Sequence, residues 1–441
     1  MTRLALLDQA AFLRLRATGH GSVVQCPWVY DRDIDVDELC AFNRSLGDGL
    51  LGRRIERSPL PFGRHRWVAG GPSPEIDVEK CGSRAVIGAW IEQRARITVD
   101  PEWGPTFHLG VRPLDDGGTA ITLVASHCVA DGLGLATAIA EAVKGEPRNF
   151  GYPQAHSRGS WRAVSEDLYH AVLSLPAVIR ALIATLLILL RLSPDAKAPA
   201  AASPVVAESD AQAELPSVTL QTDTGAWDTR ARELGGSGNT LFIAFASRLA
   251  HRMGRVHPDG STVTAVLPVS ERNADDDRAN ALTSITITVD SNEVAEDMSR
   301  VRTDVKSRLR SLGQQPNEML AGLPLIPFTP QWLVRKTEGI AMATGQLPVG
   351  CSNLGNLDAV VGRIDGADAA EVSMRLAEQG ITRHRIERAH GQLFCGTGTL
   401  NGSRFITVVA YQCGAENSVA STRERALGAL ADLHLSATTV F

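Results

Sequence analysis

Short runs of apolar residues, many of them alternating with polar ones, recur along the whole chain and predict a mixed α/β fold. In the first half, strands are predicted at residues 23–30, 107–114 and 119–126, with helices starting near Asp35 and at Leu133. In the second half, strands are predicted at residues 217–220, 262–269, 284–289, 393–400 and 404–412, and helices at 240–246, 294–312 and 419–435. This alternation is typical of sheets covered by helices.

Two local features refine the strands of the first half. The sequence Asp-Asp-Gly-Gly at 115–118 predicts the turn of a hairpin between the strands at 107–114 and 119–126. Pro27 lies inside the strand at 23–30. Because proline has no N–H to donate to a ladder, this strand would suit the edge of a sheet.

The stretch 177–190, which starts at Ala177 and ends at Leu190, is the most apolar part of the chain. Arg180 is its only charge. It is shorter than the roughly 20 residues that a bilayer-spanning helix needs, which favours a buried helix. The alternative interpretation is a surface helix that dips into a membrane or covers a lipid-binding mouth.

The length of 441 residues predicts two domains. Residues 194–216 are rich in Ala, Pro, Asp and Glu and show no periodicity, so they predict a linker. The expected division is an N-terminal domain at 1–192, a linker or crossover at 193–216 and a C-terminal domain at 217–441.

Composition and charge narrow the class of protein. The apolar fraction of 44% and the charged fraction of 21% are ordinary for a globular protein, and the net charge of −5 gives no reason to expect nucleic acid. The seven cysteines form no C-x-x-C pair, so neither a metal site nor a disulfide framework is predicted. The N-terminus lacks the apolar core of a signal peptide. We therefore expect a cytoplasmic protein, membrane-associated if the stretch 177–190 contacts lipid.

The candidate chemistry lies at His127, which follows the predicted strand at 119–126. Asp131 and Gly132 complete the spacing His-x-x-x-Asp-Gly just before a predicted helix. A histidine at the end of a strand can accept a proton near neutral pH. A purely structural interpretation is also open, because aspartate is a preferred N-cap residue and the histidine could simply end the strand.

The His-x-x-x-Asp-Gly spacing resembles that of the acyltransferases related to chloramphenicol acetyltransferase and to peptide-synthetase condensation domains. Three further segments are similar to the wax ester synthase/diacylglycerol acyltransferase branch of that superfamily. They are residues 7–13 with Asp8 before an apolar run, Leu-Pro-Val-Ser-Glu-Arg at 267–272 with Ala-Asn-Ala at 279–281, and Cys-Ser-Asn-Leu-Gly at 351–355. Residues 147–216 carry no part of the resemblance.

The resemblance implies two chloramphenicol acetyltransferase-like domains with an active-site channel between them. In it, an acyl-CoA thioester would meet an acceptor hydroxyl, or alternatively an amine, with no bound cofactor or metal. His127 would be the general base and Asp131 would hold the loop by pairing with Arg272, while Asn280 would give structural support. Gly132 would let the backbone approach the substrate closely, since it has no Cβ.

The resemblance also implies a site for the developing negative charge, because Ser352 and Asn353 would donate hydrogen bonds to the oxyanion. An ordinary strand end or turn is the alternative for these two residues. The basic cluster 383–388 could meet coenzyme A phosphates, although such a run is more often a solvated face.

The sequence departs from the family pattern at three places. Ser126 occupies the position of the first of two tandem histidines, and the Asp-Phe-Gly-Trp-Gly segment of plant alcohol acyltransferases is absent. Leu354 directly precedes Gly355, so the proline expected there is missing. These departures argue against the plant branch and weaken a specific claim of wax ester or triacylglycerol synthesis.

Two other functions stay open at this point. One is a free-standing condensation enzyme that uses a carrier-protein thioester, since a carrier protein presents the same phosphopantetheine arm as coenzyme A. The other is a degenerate relative that only binds lipid or a carrier protein. No nucleophile elbow, phosphate-binding loop or dinucleotide fingerprint occurs in the chain, so a covalent hydrolase is not expected.

Overall fold

The computed structural model describes residues 2–191, 211–273, 275–312, 320–342 and 347–441, with only the backbone described at 188–191 and 337–342. The helices are α1 (Leu6–Thr18), α2 (Val36–Asp48), α3 (Ile87–Ala95), α4 (Gly132–Lys144), α5 (Ser160–Arg191), α6 (Thr224–Glu233), α7 (Gly238–Arg252), α8 (Ser299–Leu312), α9 (Gln331–Met342), α10 (Arg383–Arg388) and α11 (Val419–Ala431).

The strands of the first half are β1 (Gly21–Tyr30), β2 (Arg53–Glu56), β3 (Arg66–Ala69), β4 (Asp77–Val78), β5 (Phe107–Pro113) and β6 (Thr119–Ser126). Those of the second half are β7 (Ser217–Asp223), β8 (Thr262–Ser270), β9 (Leu282–Asp290), β10 (Val349–Asn356), β11 (Glu371–Val372), β12 (Arg375–Gln379), β13 (Gln392–Leu400), β14 (Ser403–Tyr411) and β15 (Thr438–Thr439).

Two mixed sheets organise these elements. The first has the strand order β11-β1-β6-β5-β4, with β12 also paired to β1. The second has the order β15-β7-β14-β13-β10-β8-β9. Because β11 and β12 come from the second half of the chain, the first sheet is completed by residues that lie far beyond its other strands in sequence.

The hairpin predicted around the candidate histidine is present. Strands β5 and β6 pair antiparallel, and the N–H of Leu114 donates to the carbonyl of Gly118 across the turn at 2.8 Å. Gly117 lies in the left-handed region with φ +87°, which suits a residue without a Cβ. The hairpin thus fixes the level at which β6 ends.

The edge position predicted for the strand that contains Pro27 is wrong. Strand β1 pairs with β6 along one side, and with β12 and then β11 along the other. The physical reason is a gap, since β12 pairs with residues 21–25 and β11 only with Trp28 and Val29. Pro27 lies between these two partners, where the missing N–H costs the sheet no ladder bond.

One helix of the second half starts later than the pattern predicted. The segment expected as a helix at 294–312 is a short 3₁₀ turn, Glu293–Ala295, followed by α8. The side chain of Asp297 accepts hydrogen bonds from the N–H and the hydroxyl of Ser299, and this local pairing sets the start of α8.

Two large apolar cores correspond to the two sheets. The core of the second sheet is built from its own strands with α7 and α11. The core of the first sheet also includes buried residues from far along the chain, namely Leu357, Val361, Ile364, Met374, Leu400 and Phe405. The proposed domain division stays a prediction, and most of its linker at 193–216 lies outside the described residues.

The prediction of a buried helix at 177–190 is wrong for the side chains that are described there. Residues 177–187 belong to the long helix α5, and Leu182, Ile183 and Leu186 each expose more than half of their surface. By length and composition, α5 is the one helix within the described ranges that could cross a membrane. Its large apolar residues point away from the body of the protein.

The contribution of residues from the second half of the chain to the core of the first sheet can be measured with Met374→Ala. Met374 is buried, so truncation should lower the free energy of unfolding by about 2–5 kcal/mol through lost contacts and a residual cavity. Leu309→Ala on the half-exposed surface of α8 is the control and should change it by no more than about 0.5 kcal/mol. Equal unfolding midpoints for the two variants would contradict this packing.

Candidate active site

His127 lies directly after β6, where the strand meets the loop that leads into α4. Its N–H donates to the carbonyl of Ser22 in β1 at 3.0 Å, which extends the pairing of the two strands by one residue. Its side chain is half-buried, and no described residue forms a hydrogen bond with the imidazole. The backbone is therefore fixed while both ring nitrogens stay available to a bound molecule.

Asp131 caps the N-terminus of α4. One carboxylate oxygen accepts from the N–H of Gly134 at 2.7 Å, and the other accepts from the N–H of Ala281 at 3.0 Å. Arg272 donates to that second oxygen at 2.9 Å, and both side chains are more than 90% buried. The N-cap interpretation of Asp131 is thus correct, and the same carboxylate also joins the loop to the second half of the chain.

The segment that follows Arg272 is tied to His127 through Asn280. The Asn280 side-chain amide donates to the His127 carbonyl at 3.2 Å. The guanidinium of Arg272 also donates to the carbonyl of Ala279 at 3.0 Å, which holds the same turn from its other side. Residues from the two halves of the chain therefore determine together where His127 stands.

Asp8 is a supporting residue whose role the sequence pattern did not reveal. Its fully buried carboxylate accepts from the backbone N–H groups of Ala279 and Asn280 at 3.1 and 2.8 Å, and from the Asn280 side chain at 3.2 Å. Burial raises the pKa of Asp8, although the charge of Arg53 and these hydrogen bonds oppose the rise. Helix α1 thus holds the segment that positions His127.

Arg53 is a second supporting residue that sequence reasoning missed. It is fully buried and donates to the carbonyl of Val129 at 2.8 Å and to the hydroxyl of Tyr152 at 2.8 Å. Its guanidinium also donates to the carbonyl of Asp277 and lies 3.8 Å from the ring centroid of Trp67. No sequence signal could have identified it, because its partners lie far along the chain and are mostly backbone carbonyls.

Gly132 lies very close to the side chain of Leu354. A Cβ at Gly132 would lie 2.8 Å from a terminal methyl group of Leu354 in β10. This contact places the segment 351–355 against the first turn of α4, so the two motifs are neighbours in space. Leu354 occupies the position where the family proline was expected, and it fills the space beside Gly132.

The two residues expected to bind an oxyanion differ in whether their side chains are already hydrogen-bonded within the protein. The Asn353 side chain donates to the side-chain oxygen of Asn239 at 2.9 Å and accepts from the N–H of Gly355 at 2.8 Å. Ser352 is half-buried in β10 beside Gly396, and no described residue hydrogen-bonds to its hydroxyl. The oxyanion role of both residues stays a prediction, with Ser352 as the freer donor.

A row of polar side chains continues from His127 across the first sheet. Ser22 stands beside His127 in β1, and Glu378 of β12 stands directly opposite Ser22. Residues directly opposite each other on neighbouring strands face the same side of a sheet, so these three share one face, and two strand spacings separate Glu378 from His127 by about 10 Å. The Ser22 hydroxyl donates to the Glu378 carboxylate at 2.9 Å.

The carboxylate of Glu378 is also paired with His20 at 2.7 Å. Burial alone would raise the pKa of Glu378, but the hydrogen bond and charge of His20 outweigh it and hold that pKa below its usual value. The carboxylate of Glu378 is therefore ionised and already paired with His20.

A cavity of about 600 Å³ lies at the Glu378 end of this row, and its lining is strongly basic. Its lining includes Glu378 and His20 together with the cationic side chains of Arg14, Arg255, Arg335, Lys336, Arg385 and Arg388. Burial lowers the pKa of Arg255 to about 10. In the cluster 383–388, Arg385 and the exposed Arg388 line the cavity, whereas Arg383 is exposed and paired with Glu387 at 2.9 Å, so the choice between a phosphate site and a solvated face stays open.

Within the described ranges, no three His, Cys, Asp or Glu side chains lie close enough together to hold a metal ion. The groups available for chemistry are therefore the free imidazole of His127, the Ser352 hydroxyl in β10 and a basic cavity that begins at Glu378, two strand spacings from His127.

The coupling between Asp131 and Arg272 can be measured with a double-mutant cycle of Asp131→Asn and Arg272→Met. Each single variant should lose about 3–5 kcal/mol of unfolding free energy, because it leaves the other buried group without its partner. The double variant should lose clearly less than the sum of the two. The exposed pair of Arg363 and Asp368 is the control, where Arg363→Met should cost no more than about 1 kcal/mol. Additive losses at Asp131 and Arg272 would show that the two residues are not coupled.

Comparison with known proteins finds no matching family model and no matching curated protein. Solved structures do match along the whole chain. One is the first condensation domain of the calcium-dependent antibiotic synthetase, with 14% identity, 100% of this chain and 98% of that chain covered, and a TM-score of 0.58.

Two acyltransferases match over similar lengths. The wax ester synthase/diacylglycerol acyltransferase from Marinobacter aquaeolei VT8 has 12% identity, 98% and 99% coverage and a TM-score of 0.55. TRI101 from F. sporotrichioides, in a crystal with coenzyme A and T-2, has 12% identity, full coverage of both chains and a TM-score of 0.57. The predicted mixed α/β fold with two lobes is therefore confirmed, and the chain has the fold of condensation domains and related acyltransferases.

Proposed function

We propose that this protein transfers an acyl group from an acyl-CoA thioester to an acceptor hydroxyl, with His127 as the general base. The observation that carries the proposal is the state of His127. Its backbone is held by Ser22 and Asn280, while its imidazole hydrogen-bonds to no described residue. The fold shared with acyltransferases supports the same chemistry.

The proposed reaction needs a base because a neutral alcohol is a poor nucleophile. The imidazole of His127 takes the hydroxyl proton as the oxygen attacks the thioester carbonyl, and a tetrahedral oxyanion forms. When the carbon–sulfur bond breaks, the same proton passes to the departing thiolate. The products are an ester and a free thiol, and the histidine returns to its neutral form. A positioned base of this kind contributes typically about 10²–10⁴-fold in rate.

Asp131 is a positioning residue in this proposal. Its oxygens accept bonds from Gly134, Ala281 and Arg272, which leaves no free oxygen to accept a substrate proton. The Ser352 hydroxyl is the candidate donor to the oxyanion, since Asn353 is engaged with Asn239. One such donor contributes about 3–4 kcal/mol where it has been measured.

The basic cavity is our reason for proposing a coenzyme A donor. Coenzyme A carries several phosphate groups, and arginine binds phosphate through paired hydrogen bonds. A carrier-protein donor presents only one phosphodiester and needs fewer cations. The cavity borders Glu378, which lies opposite Ser22, so an arm that enters from it would have to cross about two strand spacings to reach His127.

The acceptor is proposed to be a lipid hydroxyl, because the large apolar side chains of α5 make the surface of this protein suited to apolar molecules. An amine acceptor is the chemical alternative at the same base. A carrier-protein donor remains the second candidate, supported by the similarity to a condensation domain. A binding protein without catalysis is supported only by Ser126 and by the engaged amide of Asn353.

The role of His127 is tested with His127→Ala, which should lower kcat/KM by about 10²–10⁴-fold because the acceptor then loses its base. Product would be detected by mass spectrometry, with acyl-CoA donors of several chain lengths and a pool of long-chain alcohols, diacylglycerol and simple amines.

The control is His434→Asn, an exposed position with φ +55° that asparagine tolerates. It should keep full activity. Equal product formation by wild type and His127→Ala would rule out the proposed base.

The donor is tested with Arg388→Ala and its matched control Arg383→Ala, since the two arginines belong to one short helix but only Arg388 lines the cavity. Losing one charge-assisted contact to phosphate should raise KM for acyl-CoA by roughly 10–100-fold, and Arg383→Ala should leave it unchanged.

A pantetheine thioester, which lacks the nucleotide, provides the second arm of the experiment. Both variants should use it as well as wild type does. If Arg388→Ala had the same KM for acyl-CoA as wild type, the cavity would not hold the phosphates, and a carrier-protein donor would be the next one to assay.

A further inference from the structure

Helix α5 has its large apolar residues on the side that faces away from the protein. Residues that expose 44% or more of their surface recur every three or four positions and include Leu168, Val172, Leu175, Ile179, Leu182 and Leu186. The opposite side of the helix is made of small residues, with Ala163 and Ala181 buried. A helix that packs on a protein core shows the reverse arrangement.

The inward side of α5 is fastened to the body of the protein. Asp167 is buried and paired with Arg158 at 2.9 Å, and its other oxygen accepts from the Ser58 hydroxyl at 2.6 Å. Further along, Thr185 approaches Gly322, just before the 3₁₀ turn Leu323–Phe328 that packs against α5. The helix is therefore held along its length, and only its outward face is free.

The charges on this face are positive. From Leu168 to Leu187 the helix contains no Asp or Glu, and Arg180, which is exposed, is its only Lys or Arg residue. Although the whole chain has a formal net charge of −5, this part of the helix therefore carries a net positive charge.

We infer that the outward face of α5 docks on the surface of an anionic phospholipid membrane, with the helix lying in the plane of the interface. The apolar side chains would enter the boundary of the acyl chains, and Arg180 would face the head groups. Trp161 and Tyr169 are exposed by 88% and 62% at the start of the helix, and such aromatic residues favour the interface.

Other occupants fit this face less well. A helix that spanned the bilayer would have to release Asp167 from Arg158 and Ser58. A second copy would bring the same face against itself, and would place Arg180 near its own counterpart. The segment 192–210, which follows α5, contains only three large aliphatic residues, Leu192, Val205 and Val206, too few to cover the exposed ones.

The inference is tested by sedimentation of the full chain with vesicles of phosphatidylcholine alone and of phosphatidylcholine containing phosphatidylglycerol. Wild type should bind the anionic vesicles more tightly, and added salt should weaken this difference, because the attraction between exposed charges is screened. No donor or acceptor is present, so the result does not depend on the proposed acyl transfer.

The test variant is Leu182→Gln/Leu186→Gln, and its matched control is Leu309→Gln on α8, a leucine that is likewise about half-exposed. Removing two inserted leucines should weaken vesicle binding by roughly 10²-fold or more, whereas the control should bind as wild type does. Both variants should keep the unfolding midpoint of wild type, because the substituted side chains are exposed.

Three results would overturn the inference. Wild type could fail to sediment with either kind of vesicle, or could bind both kinds equally at low salt. It could also form a dimer that Leu182→Gln/Leu186→Gln dissociates, which would assign the face to a second copy of the chain.

Discussion

The ion pair between Asp131 and Arg272 fixes the geometry of the candidate site, because it joins the loop between β6 and α4 to the loop between β8 and β9. Each charge is more than 90% buried, so neither can rely on water to replace its partner. The contacts that reach His127 from the second half of the chain depend on this alignment. Asn280 reaches the His127 carbonyl, and Asp8 reaches Asn280, only while the segment 271–281 stays against the start of α4.

This arrangement separates the support of the histidine from its chemistry. The hydrogen bonds that position His127 are made by its backbone N–H and its carbonyl. The carboxylate of Asp131 caps α4 and pairs with Arg272. No hydrogen bond from a described residue therefore orients the imidazole ring. Ser126, at the position expected for the first tandem histidine, fits this view. Its hydroxyl accepts from the N–H of Cys128, so it stabilises the loop and is not hydrogen-bonded to the imidazole of His127.

The sequence predicted the parts of the structure that are local. The hairpin around Gly117, the N-cap at Asp131 and the mixed α/β class follow from turn chemistry and periodicity. It could not predict contacts that the topology creates. Arg53 and Asp8 act through backbone groups far along the chain, and the place of Pro27 depends on two short strands that arrive from the other half. The exposure of α5 was misjudged because apolar composition does not say which side of a helix faces the protein.

The completion of the first sheet by β12 has a consequence for synthesis of the chain. Gly21 and its neighbours pair with residues near Gln379, so one side of β1 stays open until about 350 further residues have been made. At roughly 5–20 residues per second, this open edge persists for on the order of 20–70 s. An unpaired strand rich in valine invites pairing with other chains. The nascent protein therefore passes through an aggregation-prone stage, and its yield in a cell should depend on chaperones that bind exposed strand edges.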